Sequence, residues 1–319
     1  MAVQTATQAR GRLDLGEAFK EFDINAARFA GTQILATFAT GKRESTFTKL
    51  TRAGLLGRAK TARAVGGGYN RVDLYKTEDS YKCLENGLEG TLGDDDRALY
   101  ASEFDAELAS VENVFAKVMI EQEIRVKDLI FNTATYTGSA LFTDNKATPW
   151  STITTDIIGQ VIDAAEKVRR NTGVPPNALV IGATSLANVL KNTSIRAQFP
   201  AVTIVTLEMI RNALGSIFGL EKLIVGAGAY NSAAEGQTCV VADTWPKTYA
   251  WIGRVAEAGD SLVTPCVGRT FLWDADAADI VIVEQYREEQ VRGDVFRCRQ
   301  YTAEKIFDAY FGHLLQIEV

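Results

Sequence analysis

The sequence predicts an α+β fold, and three observations lead to it. One very long amphipathic helix lies in the first half, and strand alternation of unusual length runs from Asp279 to Tyr301. Between them helices and strands mix without the βαβ rhythm of a parallel sheet. With 319 residues, 46% hydrophobic and 23% charged, the chain has the composition of an ordinary globular protein with one or two substantial cores.

Residues 1–34 are polar and weakly periodic up to a short apolar tract, Phe29 to Phe38. They read as an extended or partly helical arm. Residues 35–76 are basic and punctuated by Gly41, Gly54, Gly57 and Gly66-Gly67-Gly68, which resist regular packing. Coreless loops of this length are uncommon in compact domains and are usually functional or disordered. Alternation at Tyr69, Val72, Leu74, Tyr75 and Tyr81 gives the loop strand-like flanks, so it reads as a long hairpin.

Asp94-Asp95-Asp96 supplies capping chemistry and complements a helix dipole. Phe104, Leu108, Val111, Phe115 and Val118 then recur at steps of four and three, and no proline or glycine intervenes from Arg97 to Tyr136. The pattern predicts one helix of ~37 residues, a rod of roughly 55 Å. Its apolar stripe needs a sheet to lie on, for which the C-terminal strands are the candidates.

After Gly138 the predicted elements are a helix from Asp156 to Asn171 ended by Gly173, a strand Ala178 to Ile181, and a short helix Ser185 to Lys191. A helix Leu207 to Phe218 and a strand Lys222 to Val225 come next, then strands near 238–242, 247–252 and 262–273. The closing 279–301 hairpin turns at Arg292-Gly293-Asp294.

The formal charge of −6 argues against a nucleic-acid surface over the whole molecule. Charge is nonetheless sharply sorted. Lys42, Arg43, Lys49, Arg52, Arg58, Lys60, Arg63 and Arg71 face one acid, Glu44, in the glycine-rich segment. Asp94, Asp95, Asp96, Glu103, Asp105, Glu107, Glu112, Glu121 and Glu123 face only Arg97 and Lys117 on the helix. The basic segment reads as a solvated loop, a nucleic-acid grip, or an arm that docks on the acidic helix of a neighbouring copy. Phe47 and Tyr69 are the only aromatics from 41 to 71, too few for single-strand stacking. Exposed ion pairs are individually weak but gain by repetition in a closed assembly, which favours the third reading.

Chemistry finds little support. The single histidine, His313, reads as structural and excludes most Ser-His-Asp and multi-histidine metal schemes. Val225-Gly226-Ala227-Gly228-Ala229-Tyr230-Asn231 starts like a dinucleotide fingerprint, but Asn231 replaces the third glycine and no amphipathic helix follows. No Walker sequence or G-x-S-x-G elbow is present. The aspartate triplet reads as a cap rather than a hard-cation site. Cys83, Cys239, Cys266 and Cys298 have neither metal-ligand nor disulfide-framework spacing, and read as reduced thiols in a cytoplasmic setting. The N-terminus lacks a signal-peptide core, and no apolar run approaches the ~20 residues that span a bilayer. Neither an enzyme nor a cofactor is predicted.

The order of parts resembles the tailed-bacteriophage major capsid proteins of the Hong Kong 97 fold. The likeness rests on Tyr69-Asn70-Arg71-Val72-Asp73 leading to Asp79-Ser80-Tyr81-Lys82-Cys83, on the helix Arg97 to Tyr136, and on the C-terminal strands from Val283-Glu284-Gln285-Tyr286 through Val291–Arg297 to Arg299-Gln300-Tyr301. It implies an N-terminal arm (1–34), an extended loop (35–76), a peripheral domain with the spine helix (77–150, helix about 97–136) and an axial domain (151–278). Peripheral return strands (279–303) and a tail (304–319) complete it. It further implies a virion shell assembled in a bacterial cytoplasm from pentamers and hexamers of this chain, enclosing double-stranded DNA without sequence-specific contact. Scaffolding, portal and possibly decoration proteins would be its partners, with no membrane. The expected inter-subunit contacts are Lys42, Arg43, Lys49, Arg52, Arg58, Lys60 and Arg63 on the arm against Glu103, Asp105, Glu107 and Glu112 on the helix. The alternatives are an encapsulin-like nanocompartment shell, and a soluble nucleotide-binding α/β enzyme using the Val225–Asn231 turn.

Overall fold

The computed structural model describes residues 10–11, 29–63, 65–73, 75–100, 105–199, 207–234, 236–275 and 281–319. In chain order these form β1 (Arg10–Gly11), α1 (Gly31–Ile34), β2 (Thr37–Thr40), β3 (Glu44–Leu50), α2 (Arg52–Leu56), β4 (Lys76–Lys82), β5 (Leu84–Gly93) and α3 (Asp94–Tyr100). Next come α4 (Ala106–Ile130), β6 (Phe142–Asp144), α5 (Ile157–Thr172), β7 (Ala178–Gly182), α6 (Ala183–Lys191), α7 (Thr193–Arg196) and α8 (Leu207–Phe218). The C-terminal part is β-rich: β8 (Lys222–Gly226), β9 (Ala229–Asn231), β10 (Val241–Asp243), β11 (Tyr249–Gly253), β12 (Gly268–Trp273), β13 (Ile282–Glu288), β14 (Gly293–Ile306) and β15 (Gly312–Gln316).

The strands build two principal sheets. The first has the order β1-β13-β14-β12-β2, with β5 also paired to β14. The second has the order β6-β15-β11-β7-β8. In the second sheet, strand alternation sends side chains to opposite faces. Ala178, Val180, Trp251 and Leu314 face a core shared with Ile34, Leu35, Val126 and Ile130. Leu179, Ile181, Ala250, Ile252 and Leu315 face the other way, onto Ile157, Val161, Val189, Ile210 and Leu214 from α5, α6 and α8. The first sheet carries α4, whose Val111, Val114 and Val118 pack on Leu92, Phe296 and Cys298. The α4 stripe does lie on the C-terminal strands, as the sequence required.

Several elements match their sequence signals closely. Asp156 caps α5 by accepting from the Gly159 N–H at 2.9 Å, and Gly173 ends it in the left-handed region at φ 75°. The closing hairpin turns where the glycine predicts, with Arg292 at φ 51°.

Two elements depart from expectation. The single rod of 97–136 is instead α3 and α4, because Asp105 has extended backbone and its side chain accepts from the N–H groups of Glu107 and Leu108. The helix ends at Ile130, and Tyr136 is buried in a turn. Its 25 residues span about 38 Å, not 55 Å. Secondly, the tract Phe29 to Phe38 is no detached arm. Ile34 and Leu35 are fully buried, and β2, inside the segment read as loop, pairs in parallel with β12.

Candidate interaction surface

The long loop has a rigid root and an open tip. Its root is the β3–β4 ribbon, paired from Glu44↔Lys82 to Leu50↔Lys76 and extended by the Thr51 N–H donating to the Tyr75 carbonyl at 3.1 Å. An aromatic box fastens the ribbon to the first sheet. Tyr81 stacks on Phe271 at 4.1 Å between centroids, and Phe47 lies 5.3 Å from Phe271 and 5.0 Å from Phe307. Asp79 sits between Lys49 and Lys305. Burial works against its charge, but the hydrogen bonds from both lysines and from the Ser80 N–H hold the carboxyl down at about 2.

The bases predicted as neighbour contacts divide into two groups. Lys49 donates to Asp79 at 2.9 Å and to the Phe307 carbonyl at 2.7 Å. Arg43 reaches the Cys83 carbonyl and covers the Tyr301 ring, while Arg52 lies 3.4 Å over the Tyr310 ring. These three serve their own chain. Lys42, Arg58, Lys60 and Arg63 are exposed, as is Arg71. Among the described residues, Arg63 alone of these has a side-chain partner, the Tyr69 ring at 4.3 Å. Every described residue from Leu56 to Asp73 is exposed. Val65 and Tyr69 stand 105% and 79% exposed, while Leu56 at the base of the tip lies against Gly173 at the end of α5. Asn70 donates to the Lys60 carbonyl at 2.6 Å and ties the tip's two limbs together.

The predicted acids do not form a free row. Glu103 lies outside the described residues. Asp105 is a helix cap, and Glu107 binds Arg97 at 2.8 Å, which also holds Asp294. Glu112 turns a buried carboxylate oxygen inward. Asp94 is spent on a two-pronged contact with Arg287, at 2.9 and 2.7 Å. Glu123, counted among the acids of the rod, is 3% exposed. It accepts from the N–H groups of Ala30 and Gly31 at 2.8 and 2.7 Å and from the Trp245 indole N–H. Burial pushes its carboxyl up, against the pull of those donors. Sequence reasoning missed this clamp, although Glu123 stands four residues after Met119 and three before Val126, on the buried stripe.

Asp95 and Asp96 are exposed at the start of α3, and exposed Glu121 borders a groove of about 300 Å³ between β5 and α4. Glu85, Asn86, Gly87 and Leu88 line it from the strand, and Val118, Glu121 and Arg125 from the helix. Arg125 is engaged by Glu304 at 3.1 and 3.2 Å.

The chemical candidates resolve into packing. Gly226 opens no helix but leads to the β9–β10 ribbon, and a Cβ there would sit 2.0 Å from the Trp245 ring. His313 is fully buried between the Ala140 carbonyl and the Thr143 hydroxyl. Among the described residues no group of three or more His, Cys, Asp or Glu is placed to hold a metal. No described helix is long and apolar enough to cross a membrane.

A helix laid on a largely antiparallel sheet, a second helix-covered sheet and a projecting ribbon loop together make the Hong Kong 97-type fold of tailed-phage capsid proteins. The chain is similar to a phage-related protein of Bordetella bronchiseptica RB50 over 97% of both chains, with a TM-score of 0.72 at 16% identity. It is also similar to the capsid of the cyanophage P-SCSP1u over 99% of this chain and 90% of that one, with a TM-score of 0.55 at 12% identity. In sequence it is 25% identical over 180 residues to the major capsid protein of Burkholderia phage BcepMu. That match takes in 51% of this chain and 57% of the relative's length. No protein-family model matches. The capsid proteins it resembles are structural proteins, not enzymes.

Proposed function

We propose that the chain is the major capsid protein of a tailed double-stranded DNA phage, self-assembling into the pentamers and hexamers of an icosahedral head. The observation that carries this reading is the loop tip. Val65, Tyr69, Val72 and several bases stand exposed together on a braced ribbon, a grouping that supports contact with another protein surface. Lys42, Arg58, Lys60 and Arg63 are the proposed subunit-contact bases, and Arg71 joins them. A head of this kind assembles in the host bacterial cytoplasm with scaffolding, portal and possibly decoration proteins, and touches DNA without reading its sequence.

Similarity to a virus-like particle from Pyrococcus furiosus, with a TM-score of 0.57 over 95% of this chain, favours a second reading, a compartment shell around protein cargo. The contents of shells purified from the native host separate the two, since the first reading expects DNA.

The test is negative-stain microscopy of the purified chain. Closed shells or capsomer rings are expected, and a monomer that never assembles under any condition overturns the proposal. Arg58→Glu, Lys60→Glu and Arg71→Glu combined should remove about 1–3 kcal/mol per subunit contact. Shells should then be lost at about 0.15 M salt while thermal melting of the monomer stays unchanged.

A further inference from the structure

We propose that the base of the long loop is a splint across the joint between the two sheets. The β3–β4 ribbon and the short helix α2 grip residues 305–310, where the chain passes from β14 toward β15, and so fix the direction in which the loop leaves the molecule. A loop aimed at one angle is what a contact repeated around a ring requires. That consequence rests on the shell reading; the splint itself is a device within one subunit and does not.

The contacts follow one another along a single short stretch. Asp79 of β4 binds Lys305, and Phe47 of β3 lies 5.0 Å from Phe307. Lys49 donates to the Phe307 carbonyl at 2.7 Å. Arg52 of α2 lies 3.4 Å over the Tyr310 ring, and both are half-buried. Residue 306 ends β14 in the first sheet and Gly312 opens β15 in the second, so the grip runs along the passage from one sheet to the other. Leu56 adds a contact on the far side of the joint. It lies against Gly173 at the end of α5, the helix that covers the second sheet.

Helix α2 can hold the ribbon because the two are fastened together. The Thr51 N–H and hydroxyl both donate to the Tyr75 carbonyl at 3.1 Å, and the Gly54 N–H donates to the Thr51 hydroxyl oxygen at 3.3 Å. Position 54 has little room for a side chain, since a Cβ there would lie 3.1 Å from the same Tyr75 carbonyl oxygen. Helix and ribbon therefore move as one piece. The aromatic box ties that piece to the first sheet, and Arg52 and Leu56 tie it to the second-sheet side. Those two outer ties are half-exposed or exposed single side chains, so they can release without unfolding the ribbon. A cation–π pair favours the docked form by about two- to thirtyfold.

The experiment is a distance measurement by pulsed electron spin resonance. Cys83, Cys266 and Cys298 are buried and Cys239 is exposed, on the connection between β9 and β10 that follows β8 of the second sheet. One spin label goes on Cys239 and another on Lys60→Cys in the loop, with the labelled chain diluted into excess unlabelled chain. The otherwise unaltered protein should give one narrow distance distribution. Arg52→Ala with Leu56→Ala should widen it at least about twofold as the undocked form becomes populated. That variant should melt close to wild type, since the aromatic box is untouched. Arg52→Lys, which keeps a cation over Tyr310, should stay nearer the narrow distribution. An unchanged distribution in the double variant overturns the splint, as does equal widening by Lys42→Ala, a base whose side chain has no partner among the described residues. Microscopy of the wild-type chain tests the shell reading separately, so either can fail alone.

Discussion

His313 gives one ring nitrogen to the Ala140 carbonyl at 3.1 Å and the other to the Thr143 hydroxyl at 2.8 Å, with its ring out of water. Desolvation, aided by the charge of Lys167, brings it down from 6.5 to about 4. Between those two values the unfolded chain binds a proton that the folded chain refuses. Stability therefore falls as pH drops through this window, by up to about 3 kcal/mol. His313→Gln should flatten that acid limb, read by urea unfolding of unassembled protein near pH 7 and near pH 4. Glu123 acts in the opposite sense. Burial raises its folded value above 4.5, so its contribution weakens as pH rises from 4.5 through the raised value. Glu123→Ala would strand the Trp245 indole N–H and two backbone N–H groups. A loss on the order of 3 kcal/mol is expected in thermal or urea unfolding. Neither the role of Glu123 nor its depth was legible from charge counting, because a carboxylate on a helix is usually solvated. Its place on the Met119–Val126 stripe was the available sign.

At the level of elements, legibility followed the chemistry of ends. Helix α5 could be read from Asp156 to Gly173 because both capping residues stand alone between unambiguous neighbours. The spine could not, because Asp94-Asp95-Asp96 and Asp105 are equally good caps and only packing selects the second for α4. Strand β2 and the Ile34–Leu35 anchor were hidden by short length and a glycine-rich sequel, and their burial depends on α4 and β12. The Val225–Asn231 segment was read as a plain glycine turn, and the structure supplies the reason for its glycine. Trp245 occupies the place where a side chain at position 226 would lie, with its Cδ1 at 2.0 Å and Cγ at 2.3 Å from the built Cβ. Gly226→Ala should accordingly destabilise the monomer by about 3 kcal/mol through overpacking. Calorimetry of the variant checks this, and an unchanged melting temperature would contradict the packing account.

For the molecule as a whole, sorted charge was the most legible property and its detailed pairing the least. Basic loop and acidic helix were visible as blocks, but which acids stay free depends on arginines nearly two hundred residues away, such as Arg287 beside Asp94. The C-terminal strands add a consequence of another kind. β14 pairs with β13, β5 and β12 in the first sheet, and after residues 307–311 the chain enters the second sheet as β15, between β6 and β11. The first sheet therefore remains unfinished until residue 306 has been synthesised, and the second until residue 316. A nascent chain still held by the ribosome has its loop and α4 but not yet the strand β14 on which α4 packs. Closure of both cores is thereby timed by the end of translation.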